Sequence, residues 1–278
     1  MRLKRLALAA PILLAAAQPV DSQNVPAPPA IGYADLVDLA LAAPVVAHVR
    51  VEEADALSAR EAPSVPPGHR RFLIEARVLA LIRGEGGLAP RVSYLVDIPL
   101  DARGRARVRE RTEFLVLAQR APGRPGELRL VAPDAQLAFA PETAERLRSI
   151  LRESLGADAP PRIVGLGRAF HVPGSLPGES ETQIFLQTAD NRPISLSVLR
   201  RPGEQPRWSV ALGEMVDEAA RPPLPGTLLW YRLACTLPPA LPPQSVGEAT
   251  PDEARAIAAD YRLVIARLGP CGRLRPRR

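Results

Sequence analysis

The stretch Arg71 to Gly84, RFLIEARVLALIRG, decides how the chain is read. Phe72, Ile74, Ala76, Val78, Ala80 and Ile82 fall on one face at a period of two. The other face mixes Glu75, Arg77 and Arg83 with Leu73, Leu79 and Leu81. That is the pattern of a long strand with one face buried and the other half covered. A helix is the competing reading, because Ile74, Val78, Leu81 and Ile82 also fit a period of 3.6 and Gly84 could close a helix. No Ser, Thr, Asp or Asn precedes Phe72 to start one, so the strand is preferred.

Outward from this stretch, the neighbours also read as strands. Val45 to Glu53 (VVAHVRVEE) alternates, with His48 on its polar side as an ordinary, partly exposed strand residue. Val92 to Ile98, Thr112 to Gln119 (TEFLVLAQ) and Leu128 to Val131 follow, separated by turns rich in Gly and Pro. Tyr33 to Ala43 carries Leu36, Val37, Ala40 and Leu41 at helical spacing and stops at Pro44. Pro141 to Leu155 is a helix with Pro141 at its first position and Gly156 after its end.

Beyond Ala159-Pro160-Pro161 a meander is expected: Ile163 to Val172, Glu181 to Thr188, Ile194 to Leu199, Arg207 to Leu212 and Thr227 to Cys235. Trp208, Trp230 and Tyr231 are core candidates. Thr250 to Leu268 is the clearest helix. Thr250 and Glu253 make a capping box, Pro251 takes the first position, and Ala254, Ile257, Ala258, Tyr261, Val264, Ile265 and Leu268 form the apolar stripe.

The N-terminus is a secretory signal. Arg2, Lys4 and Arg5 precede the apolar run Leu6 to Ala17, and Ala15-Ala16-Ala17 supplies the cleavage site, so cleavage after Ala17 is expected. That run is shorter than the roughly 20 residues needed to span a bilayer. An uncleaved anchor is the alternative. No integral membrane segment is expected after cleavage, and the product is periplasmic or secreted. The two cysteines, Cys235 and Cys271, then form one structural disulfide in an oxidising compartment.

The formal charge of +6 is concentrated at the two ends. Without the three signal-peptide bases it is +3, and without Arg273, Arg275, Arg277 and Arg278 the body carries −1. No nucleic-acid partner is expected.

The resulting fold class is α+β and β-rich: an OB-like antiparallel barrel with a flanking helix, plus a second antiparallel β-meander domain closed by a C-terminal helix. The expected organisation is signal peptide 1–17, flexible Pro-rich arm 18–31, barrel domain with closing helix 32–158, meander domain 162–272 and basic tail 273–278.

Several of these segments carry a resemblance. Val45 to Val51, Val78 to Gly84 (VLALIRG) and Glu113 to Ala118, in this order and flanked by helices, are similar to the netrin-like and TIMP-like modules of secreted proteins. The resemblance covers about half of the mature chain and implies an OB-type barrel. Members that inhibit metalloproteinases ligate zinc through an N-terminal cysteine. This chain has no cysteine before Cys235, so that mechanism is not implied. The whole chain, including its LLWYRLAC segment (228–235), also resembles a family of exported bacterial proteins, which implies export and no particular activity.

Catalytic motifs are poorly represented. Gly178-Glu179-Ser180-Glu181-Thr182 lacks the final glycine of a nucleophile elbow and leads into a strand. Gly165-Leu166-Gly167 and Gly84-Glu85-Gly86-Gly87 complete no phosphate-binding pattern. His48, His69 and His171 are scattered, so no metal or cofactor site is expected. The most unusual polar segment is HVPGSLPGESET, 171–182. His171, Ser175, Glu179, Ser180 and Glu181 are its candidate binding residues, since a loop held on a rigid sheet is a common place for binding. The expected function is non-catalytic binding or assembly in the cell envelope, with an envelope protein as partner. A hydrolase using the 171–181 loop is the alternative, and a chaperone-like accessory role is a third reading.

Overall fold

The computed structural model describes residues 31–213 and 220–275. The expected signal peptide, all of the expected Pro-rich arm but Ile31, and the last three residues of the expected tail lie outside them.

The opening stretch is strand β2 (His69–Arg83), and Phe72, Ile74 and Ala76 are buried on one face as the alternation requires. It pairs antiparallel with β1 (Val45–Ala56) on one side and β3 (Arg91–Pro99) on the other. Three register shifts interrupt the β1–β2 ladder. Such irregularities sharpen the twist of a strand. The N-terminal half of β1 also pairs with β4 (Glu113–Arg120), from Val45 opposite Ala118 to Arg50 opposite Glu113. The short β5 (Glu127–Leu130) joins β4 antiparallel and β3 parallel.

The ring β1-β2-β3-β5-β4 therefore closes on β1 as a five-stranded barrel. A three-residue strand, β6 (Gln136–Ala138), adds to β4 and was too short to read from the sequence. Val49, Val51, Ile74, Val92, Val96 and Val116 fill the barrel interior. Tyr94, 2% exposed, is accommodated because its hydroxyl donates to Gln136 Oε1 at 2.8 Å.

Strand β4 reads as an unbroken apolar run because both faces are covered. Val116 and Ala118 face the barrel interior, while Leu115 and Leu117 join a second core with α1 (Tyr33–Ala42) and α2 (Pro141–Leu155).

The second sheet is an antiparallel meander in the order β10-β9-β8-β7, made of β7 (Ile163–Pro173), β8 (Ser180–Thr188), β9 (Ile194–Arg200) and β10 (Arg207–Ala211). Ile184, Leu196, Val198 and Trp208 on its inner face share the core of α1 and α2. The Ala159-Pro160-Pro161 segment, expected as a domain boundary, connects α2 to β7. The two sheets have separate ladders, but one apolar cluster runs from Ala34 to Leu268.

One expected strand is a helix. Leu228–Ala234 forms α3, not the last strand of the meander. The Thr227 side chain accepts from the Trp230 amide at 3.3 Å, and the Leu228 amide donates to Glu153 Oε2 at 2.8 Å. Leu228, Trp230, Tyr231 and Leu233 are buried, so the run is apolar nearly all round and shows no periodicity to tell helix from strand. The last helix, α4 (Pro251–Leu268), has the expected capping box. Cys235, just after α3, and Cys271, just beyond α4, are paired at disulfide distance with their Cα atoms 4.8 Å apart. The link thus fastens α3, rather than a strand end, to the exit of α4. Trp230 Nε1 donates to the Leu268 carbonyl across the same junction.

The start of the basic tail is held in place. Arg273 donates to both carboxylate oxygens of Asp38 on α1, at 2.6 and 3.0 Å, and Tyr231 donates to the same carboxylate. The amides of Leu274 and Arg275 donate to Asp35, and the Arg275 side chain clasps Asp134 at 2.6 Å. Burial, and then the hydrogen bond to Asp38, pushes the Tyr231 hydroxyl above its ordinary pKa.

Candidate functional site

The five residues singled out in the 171–181 segment lie on one hairpin but do not converge. The loop between β7 and β8 is closed by the Gly174 amide donating to the Glu179 carbonyl at 2.8 Å. The Glu179 side chain folds across Gly174 so closely that a Cβ there would overlap it. Ser175 stands exposed at the loop tip. Ser180, opposite Pro173, is buried on the inner face of the sheet, and Glu181, opposite Val172, is on the outer face. Adjacent strand residues point to opposite faces, so Ser180 and Glu181 cannot serve one site.

His171 sits opposite Thr182, and its Nδ1 is 2.8 Å from Thr182 Oγ1. Thr182 in turn donates to Asp260 Oδ2 at 2.5 Å. The threonine hydroxyl has one proton, and the carboxylate takes it, so His171 carries its proton on Nδ1 and donates it to Thr182. Asp260 is 1% exposed and is held by Arg200, whose Nε lies 2.8 Å from Oδ1. A buried carboxylate needs such a partner.

Thr182 and Asp260 were not singled out from the sequence, though each left a mark. Asp260 interrupts the apolar stripe of α4 between Ile257 and Tyr261, and Thr182 takes an inward position in the alternation Ser180, Thr182, Ile184, Leu186. Their partnership, 78 positions apart, left none.

On the outer face the hairpin exposes Phe170, Val172, Leu176 and Phe185. Phe170 and Phe185 meet edge to face at 6.1 Å, with the Arg168 guanidinium 5.5 Å over Phe170. On the same face of the sheet an open groove of about 1190 Å³ runs over β8, β9 and β10. Glu181, Ser197, Leu199, Trp208 and Ser209 line it on the sheet, and Arg201 to Arg207, Ala220 to Pro222 and Arg267 form its walls. Glu181 is the one residue of the predicted set that lines this groove. The Ser197 hydroxyl is buried without a hydrogen-bond partner, although the side chain borders the groove.

The barrel carries two further polar clusters. His48 stacks on Phe139 with ring centroids 3.8 Å apart and shares Glu113 with Arg50. The Arg50 hydrogen bond, then that of His48, holds the Glu113 carboxyl below its usual range. A smaller groove, about 670 Å³, lies against β3 and β5 and includes the Arg71–Asp97 pair. Among the described residues there is no group of three or more His, Cys, Asp or Glu side chains that could hold a metal, and no helix is long and apolar enough to cross a membrane.

Compared with known proteins, the chain matches no family model, and no curated protein sequence matches it significantly.

Proposed function

We propose that this chain is an exported, non-catalytic binding or assembly protein of the cell envelope, periplasmic where the cell has an outer membrane, and that its binding surface is the outer face of the β7–β10 sheet. The observation that carries this reading is the groove over β8, β9 and β10, reached from the predicted hairpin through Glu181 and on the same sheet face as the exposed Phe170 and Phe185. Loop-borne polar groups next to exposed aromatics on a rigid sheet suit recognition. The paired cysteines fit an oxidising compartment. The expected partner is an envelope protein.

A photo-crosslinking residue placed at Ser209, inside the groove, tests the reading in intact cells. One discrete adduct from Ser209, absent when the residue is placed at Arg103 in the exposed loop after β3, supports it. Identical adduct patterns from both positions reject it.

The alternative, an envelope hydrolase, rests on one specific observation. His171 is oriented through Nδ1 by the Thr182–Asp260 chain, as a general base must be oriented by a third group. No serine is hydrogen-bonded to it among the described residues. Any esterase or amidase activity of the purified protein that survives both His171→Ala and Ser180→Ala ends that reading.

A further inference from the structure

We propose that the groove over β8, β9 and β10 takes an acidic peptide segment; this deepens the binding reading above and rests on it. Among the described residues, the walls carry Arg201, Arg207, Arg221 and Arg267, and the acids that line the groove are Glu181 and Glu204. Arg207 shares Glu204 at 3.1 Å. Arg267 donates to the Pro206 carbonyl at 2.6 Å, which orients the guanidinium without neutralising it. Among the described residues, neither Arg267 nor Arg201 has a carboxylate partner. Two uncompensated guanidinium groups on one groove set up a local field that favours anions, and Arg presents the forked donor geometry that carboxylates match.

The second observation is independent of charge. Ser197, on the groove side of β9, is 7% exposed, and its hydroxyl has no partner. A buried hydroxyl left unpaired is costly, and a ligand group that meets it recovers that cost. Between the charged walls, Leu199 and Pro222 give the groove apolar ground. Its volume of about 1190 Å³ exceeds the roughly 300–1,000 Å³ of small-molecule pockets, which favours a length of chain over a compact metabolite. Guanidinium and apolar surface in one groove complement a peptide that carries both acidic and apolar side chains.

The experiment uses fluorescein-labelled octapeptides of alternating Glu and Leu, Lys and Leu, and Gln and Leu, titrated against the purified protein by fluorescence anisotropy. Amide hydrogen exchange over β8 to β10 is followed in parallel. The Glu/Leu peptide is expected to bind at least tenfold more tightly than the other two, to weaken with added salt, and to protect β9 and β10. The double variant Arg201→Gln/Arg267→Gln, both at exposed positions, is expected to lose at least tenfold in affinity for that peptide with an unchanged thermal midpoint. Ser197→Ala reports on the hydroxyl and is expected to weaken binding several-fold.

Equal affinity of the double variant, or tighter binding of the Lys/Leu or Gln/Leu peptide, overturns the acidic assignment. If such a peptide still protects β8 to β10, the groove remains a binding surface and only the ligand class falls. If no peptide protects these strands, the acidic assignment falls, and the crosslink from Ser209 then decides separately whether the face binds a partner of another kind.

Discussion

The inner face of the meander and the outer side of barrel strand β4 share one apolar cluster with the helices, while the barrel interior is a core of its own, and the two regions treat polar groups oppositely. The buried polar and charged side chains among the described residues are Asp35, Ser180, Thr182, Thr188, Ser195, Ser197, Ser245 and Asp260. None lies on a barrel strand, and Ser180 to Ser197 all lie on β8 and β9. The barrel closes its own ladder through β1 and β4, so its ends need no clasp. The meander has open edges. It is held to α4 by the Thr182–Asp260–Arg200 chain, and α4 is held to α3 by the cysteine pair. A region that buries polar groups tolerates a cost that an apolar core avoids, and that cost is concentrated where the candidate surface lies.

The largest expected effect tests whether the clasp matters only to the meander. Replacing Cys235 and Cys271 with Ala opens a link between residues 36 positions apart. A loop of that size contributes about 4 kcal/mol in the chain-entropy model. Urea unfolding should register the loss, and hydrogen exchange should accelerate in α3, α4 and β7 to β10 before β1 to β5. Equal acceleration of both regions would erase the distinction.

Asp260→Ala comes next. It leaves the buried Thr182 hydroxyl without its acceptor, at a cost of about 2 kcal/mol, while Arg200, 36% exposed, can be solvated. Asp260→Asn, which keeps an acceptor, is expected to cost less in the same urea titration. On the barrel side, Tyr94→Phe removes only the hydrogen bond to Gln136, for about 1 kcal/mol by the same measurement.

The smallest effect is a pH dependence confined to the barrel. Arg71 hydrogen-bonds Asp97 and lowers its pKa below the ordinary 3.8. The folded state therefore holds this proton less tightly than the unfolded chain. The contribution is complete above the ordinary value and is lost as pH falls from there through the lowered one. Urea midpoints between pH 5 and 2 should fall less steeply for Asp97→Asn than for the parent protein.

Much of this architecture was legible in the sequence. The two-residue alternation of Phe72, Ile74 and Ala76 survives as β2 because one face meets the barrel interior. The capping box of α4 and the pairing of Cys235 with Cys271 were equally readable. Strand β6 is three residues long and exists only because β4 offers it an edge. Helix α3 was hidden because a short, mostly buried and mostly apolar run has too little polar surface to set its period. In the hairpin, the candidates were chosen by proximity along the chain. The sheet separates Ser180 from Glu181 by its pleat and joins His171 to an aspartate on a distant helix. The groove arginines come from three separate segments, and only the folded chain brings them together.

The grip of Arg273 to Arg275 on α1 has a mechanical consequence. Asp35 and Leu274 are 239 positions apart and hydrogen-bonded. A pull applied between those two ends would first load a small set of contacts, Asp35, Asp38 and Asp134 against the strap, while the sheets between them bear no tension until it yields. The strap bridges the two pulled points in parallel with the fold between them, so its rupture would precede the extension of either sheet.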